Sequence, residues 1–138
     1  MIKKILIALA IVLVLIQFIR PAKNDAGGVV YSMPTGYNVP PEVNVILKPA
    51  CLDCHSNVTH YPWYSNIQPA AWFLANHVKE GKEHLNFSEF TNRRIAYQHH
   101  KFEEIVEMVK EKEMPLPSYT WFGLHPDAKL TDAERETL

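Results

Sequence analysis

Cys51-Leu52-Asp53-Cys54-His55 contains both cysteines of this 138-residue chain, and no other segment carries as much chemistry. Two thiols three residues apart on a helical turn can each add to one vinyl group of a haem. The next residue, His55, is then carried under the ring with its imidazole aimed at the iron. This is the attachment pattern of c-type haem. The motif therefore predicts one haem c per chain, held covalently by Cys51 and Cys54, with His55 as an axial ligand to the iron. Two other chemistries use paired cysteines. A redox dithiol normally sits between a strand and a helix, and no strand pattern precedes Cys51. A zinc site needs a second ligand pair, and the chain has no further cysteine and no histidine pair at finger spacing. A thiol switch without haem stays open as the lesser alternative.

The elements that position this motif read as helices. Proline suits a first helical turn, so a short helix starts near Pro40-Pro41, puts Val43, Ile46, Leu47 and Ala50 on one face, and runs into Cys51. A second helix is expected from Pro69 to about Lys79, ending at Gly81. A third runs from Asn92 to Lys112 with Ile95, Phe102, Ile105, Val106 and Val109 as its apolar stripe, and Met114-Pro115-Leu116-Pro117 stops it. Thr131 and Glu134 form a capping box for a last helix of about two turns. No alternating run is long enough for a sheet, so the fold class is all-α.

The N-terminus is a separate piece. Lys3 and Lys4 precede an apolar run from Ile5 to Ile16 that continues to Arg20-Pro21, and no small-x-small cleavage site follows. Residues 1–21 thus read as an uncleaved signal anchor, residues 22–38 as a tether, and residues 39–138 as the domain. Because haem is attached to such motifs outside the cytoplasm, this reading places the domain in the periplasm, tethered to a bacterial inner membrane. The net charge of −1 and the absence of a basic face argue against a nucleic-acid partner.

With these residues in view, the chain resembles the small membrane-anchored haem-binding domains of bacteria, relatives of the monohaem cytochromes c. The resemblance spans nearly the whole chain. It rests on Cys51-Leu52-Asp53-Cys54-His55, on His60-Tyr61-Pro62-Trp63-Tyr64-Ser65-Asn66-Ile67-Gln68-Pro69, on Glu113-Met114-Pro115-Leu116 and on Leu130-Thr131-Asp132-Ala133-Glu134. It implies a cytochrome c-like helical domain around one haem, haem binding and electron transfer, with a last helix that packs across the first. The last helix here is shorter than the resemblance leads one to expect.

Electron-transfer haems usually take Met or His as second axial ligand. Met114 follows a long helix and precedes a capped one, the order seen in cytochromes c of the Met/His type, and is the expected second ligand. Met108, within the third helix, reads as packing. Among the histidines, His77 is the first rival, while His60, His84, His99, His100 and His125 each read more as surface or packed residues than as ligands, and bis-His ligation through one of the histidines stays open as the alternative. Trp63, Tyr64 and Trp72 are expected to wall the haem, with core packing as an equal reading for Trp72. The chain then reads as a one-haem electron carrier serving redox partner proteins and not as an enzyme. A haem enzyme or sensor with an open or exchangeable sixth position is the alternative.

Overall fold

The computed structural model describes residues 1–25, 27–28 and 32–138; part of the expected tether, 26 and 29–31, lies outside the described residues. Among the described residues six α-helices follow in order, with short π and 3-10 turns between them: α1 (Ile2–Ile16), α2 (Met33–Gly36), α3 (Pro41–Leu47), α4 (Ala70–His84), α5 (Ile95–Lys110) and α6 (Asp132–Thr137). There is no strand among the described residues, so the all-α expectation holds.

Local sequence explains most boundaries. Pro41 opens α3, and Pro49 ends its regular pattern. Lacking an N–H for the carbonyl four residues back, Pro49 stops the α-helical ladder, and the chain widens into a π turn over Lys48–Leu52. α4 runs past Gly81 to His84, longer than the sequence predicts. α5 stops at Lys110, where Lys112 takes a left-handed φ of 63°. The capping box of α6 is present, Thr131 and Glu134 each bonding the other's backbone N–H.

Among the described residues the core includes two linked clusters, with Ala71, Leu74 and Val78 of α4 buried besides. Met33, Leu47, Phe87 and Phe90 form one, with Cys51, Leu52, Leu85 and Phe102 packed against it. Ile46, Val109 and Leu130 form the other. Ile105 and Leu138 touch both, and α6 packs on α3. Two residues of the expected α5 stripe are not in the core: Ile95 is 74% exposed and Val106 42%. Gln98 is buried instead, its side chain bonded to the Tyr37 hydroxyl and the Arg93 carbonyl.

The N-terminal reading needs correction. α1 has fifteen residues, about 22 Å at ~1.5 Å per residue, against a hydrocarbon core of ~30 Å. Among the described residues, no helix is long and apolar enough to cross a membrane. The expected single-pass inner-membrane anchor is therefore overturned, and the periplasmic placement tied to it goes with it. The residues that follow α1 are bonded to the domain. Gln17 and Gln68 exchange two hydrogen bonds, Gln17 Nε2 to the Gln68 carbonyl at 3.2 Å and the Gln68 N–H to Gln17 Oε1 at 2.9 Å. The Ile19 carbonyl accepts from both Gln68 Nε2 and the Trp72 indole. Asn24 is fastened as well, to Tyr61, Ser56, Thr59 and Lys82.

Candidate functional site

The π turn delivers Cys51 to the end of α3, and the next turn collects the remaining groups. The Cys51 carbonyl accepts from the N–H of Cys54 at 3.3 Å and of His55 at 3.0 Å, so both cysteines and the histidine share one tight turn. Both thiols are free and partly accessible. Burial pushes the Cys51 thiol up to about 12, with Cys54 adding to the rise. The Cys54 thiol is pushed up to about 11, by burial first and then by Asp53. Reactive redox cysteines have the opposite environment, electropositive and favouring thiolate.

His55 is fixed from the α4 side. Its Nδ1 lies 3.1 Å from the Leu85 carbonyl, and the Phe87 N–H donates to the His55 carbonyl at 2.8 Å. A carbonyl accepts only, so Nδ1 carries the proton and Nε2 keeps its lone pair, the tautomer of a metal-ligating histidine. Burial lowers the pKa of this imidazole and favours the neutral form. α4 approaches the turn closely at Gly81. A Cβ there would stand 2.8 Å from the Cys54 carbonyl oxygen and 3.2 Å from Cys54 Cβ. The sequence reading of Gly81 as a helix end missed this role.

The other side of the turn is closed by the C-terminal loop. Asp53, the second of the two residues between the cysteines, accepts from the His60 N–H on Oδ1 at 3.1 Å and from the Tyr119 hydroxyl on Oδ2 at 2.8 Å. The Tyr119 ring stacks on His125, with centroids 3.9 Å apart and planes 14° from parallel. His125 Nε2 and the Tyr64 hydroxyl are hydrogen-bonded at 2.5 Å. Burial raises the pKa of both tyrosines, and both also feel Cys54, which sets these rings beside the cysteine turn. The Pro126–Ala128 turn packs on the Lys48–Leu52 turn. Asp53, Tyr119 and His125 escaped the sequence reading, because contacts spanning 66 residues leave no periodic trace.

Of the expected site residues, Cys51, Cys54 and His55 come together, and Tyr64 joins them through His125. Trp63 stands edge-on to Tyr64 but is 72% exposed. Trp72 bonds Ile19 in the first turn of α4, nine residues or ~13 Å along the axis from Gly81. Met114 is half-buried beyond α5; its N–H bonds the Met108 carbonyl, and its own carbonyl accepts from Arg135 at 2.8 Å. His77 is turned to its own helix, bonded to the Phe73 carbonyl and packed on the Phe73 ring.

The donor set suits a haem: two free thiols on one turn and an imidazole with its outer nitrogen left unprotonated. Two shallow, open clefts lie elsewhere, one of about 570 Å³ along the outer face of α5 and one of about 360 Å³ between Tyr61 and α4. A family model described as a haem-binding domain matches residues 11–138. The chain belongs to the haem-binding domain family. No curated protein and no solved structure matches it. Membership makes this a haem-binding protein.

Proposed function

We propose that the protein is a one-haem electron carrier of the c type, with thioether bonds to Cys51 and Cys54, His55 as one axial ligand and Met114 as the other. The observation that carries the reading is the His55 tautomer: Nδ1 held 3.1 Å from the Leu85 carbonyl, on the same turn as both free thiols. The raised thiol pKa values disfavour the dithiol alternative. The haem, when bound, supplies a one-electron iron couple, and the chain supplies orientation and electrostatics. In this reading Leu85 orients His55, Gly81 admits α4 to the turn, and the loop carrying Tyr119 and His125 closes the other flank. Met114 stands in the reading on its place in the chain, after the long helix and before the capped one. The partners are redox proteins, and no chemistry on a bound substrate is assigned.

The test is the protein produced in a host that matures c-type cytochromes. Haem should stay with the chain through denaturing electrophoresis, and a Cys51→Ala, Cys54→Ala double variant should release it. Haem retained by the double variant would overturn covalent attachment. The ferric protein should show the near-infrared band of Met-to-iron charge transfer, lost in Met114→Ala. A wild type without that band would remove Met114 from the iron.

A further inference from the structure

Asp53 is the one charged residue inside the Cys51–His55 motif, and its surroundings leave that charge without a counter-ion. The residues that bond its carboxylate, His60 and Tyr119, lie in the stretches 54–78 and 114–126, which contain no Asp, Glu, Lys or Arg, although 29 of the 138 residues are of these types (14 basic and 15 acidic). No ion pair to Asp53 is found among the described residues. The nearby cations of the α4 and α5 side have other partners: Lys82 donates to Asn24 Oδ1 at 2.6 Å, and Lys101 pairs with Glu104. The carboxylate is nevertheless held in place, by neutral donors only. The His60 N–H bonds Oδ1 and the Tyr119 hydroxyl bonds Oδ2. Tyr119 is itself fixed by its stack on His125, and His125 by Tyr64.

We propose that Asp53 is the fixed negative charge that sets the reduction potential of the haem at this turn, and that Tyr119 is the positioning residue that holds it there. The inference rests on the attachment of haem at Cys51–His55 argued above. Ferric iron carries one positive charge more than ferrous iron, so a neighbouring carboxylate stabilises the oxidised form and lowers the potential. Asp53 is half-buried against the Tyr119 ring and backbone, so solvent and salt screen the interaction only in part. Neutral donors hold a carboxylate without cancelling its charge, and a lysine in the place of Tyr119 would cancel it. The arrangement thus keeps both the location and the sign of the charge constant.

The experiment is equilibrium redox titration of the haem-loaded full chain, wild type against Asp53→Asn, Tyr119→Phe and the double variant. Asn matches Asp in shape and keeps one acceptor oxygen for the His60 N–H, while its NH2 can donate to the Tyr119 hydroxyl, which turns to accept, so Asp53→Asn removes the charge and keeps the side chain in place. It should favour the ferrous form about tenfold, a rise of about 59 mV for a one-electron couple. Tyr119→Phe leaves the carboxylate free to swing into water and should raise the potential by a smaller amount. Added to Asp53→Asn, it should change nothing, because it acts through the charge. An unchanged potential in Asp53→Asn overturns the role of Asp53. A Tyr119→Phe shift of the same size in both backgrounds overturns the positioning role. Far-ultraviolet circular dichroism and thermal melting identify any variant that misfolds, and in that case Asp53→Gln, which also lacks the charge, decides by the same sign of shift. A wild type that releases haem in denaturing gels yet shows these shifts overturns covalent attachment and keeps the inference. A wild type that takes up no haem overturns both.

Discussion

On its α4 flank the Cys51–His55 turn meets backbone: the glycine of α4 lies against the Cys54 carbonyl, the Phe87 N–H donates to the His55 carbonyl, and the Leu85 carbonyl faces the His55 imidazole. On the opposite flank it meets side chains, with Tyr119 on Asp53, His125 on Tyr119 and Tyr64 on His125. The difference teaches what each flank can vary. Main chain in contact with main chain has no rotamer through which to adjust, so the α4 flank fixes where the turn sits. A chain of hydroxyl, ring and imidazole can be changed one group at a time, so the loop flank is where the properties of the site can be tuned.

The largest expected effect is therefore on the α4 flank. Gly81→Ala adds one carbon 2.8 Å from a carbonyl oxygen that has no freedom to move. Alanine is the better helix former by ~1 kcal/mol, while overpacking of this kind costs about 1–3 kcal/mol. The backbone obstacle places the cost near the upper end, so a net loss of about 2 kcal/mol is expected in chemical denaturation. A variant as stable as the wild type would mean that α4 can slide off the turn, and the contrast between the flanks would collapse.

A smaller effect is expected across the turn. Tyr64→Phe keeps the ring edge-on to Trp63 and removes only the hydroxyl bonded to His125. Loss of a neutral hydrogen bond of this kind is worth about 1 kcal/mol, read by the same denaturation. A loss as large as that of Gly81→Ala would show that the loop flank is as rigid as the helical one.

What was legible in the sequence was local. The motif at 51–55, the start of α3 at Pro41 and the capping box at Thr131 are each set within a few residues, and each is found where expected. The contacts that position the motif are not local. Gly81 reads as a helix end because glycine often is one, and only the fold shows Cys54 beneath it. Ile95 fits the α5 stripe by spacing, but it is the first residue of the helix and extends past the core into solvent. Gln98 lies outside the apolar stripe, and its partners, Tyr37 and Arg93, cannot be deduced from α5 itself. The apolar run at the N-terminus gave the anchor reading, and nothing in that run signals the exchange of bonds between Gln17 and Gln68, 51 residues apart. Tyr119 and His125 had one faint signal, namely that they fall in a stretch without charge, aromatic and short of apolar spacing.

The smallest expected effect is a pH dependence on the loop flank. His125 is stacked on Tyr119, and burial lowers its pKa from the ordinary 6.5; Asp53 opposes the shift and His60 adds to it. A histidine whose folded pKa lies below its unfolded value takes up its proton more readily when unfolded. Stability is then full above about pH 6.5 and declines as pH falls through the interval between the two values, becoming level below the folded one. His55 is shifted in the same direction by its own burial, so the wild-type profile alone does not isolate His125. His125→Phe does isolate it, since phenylalanine preserves the stack on Tyr119 and does not titrate. Denaturation midpoints measured at several pH values from 7.5 to 5 should fall less steeply in this variant than in the wild type. Because the imidazole is only partly buried, the difference in slope should be modest, smaller than the effect of Tyr64→Phe at neutral pH. Parallel profiles would show that His125 is solvated enough to titrate equally in both states. The loop flank would then hold the turn by ring stacking and the Tyr119–Asp53 bond alone, with no contribution from the charge state of the imidazole.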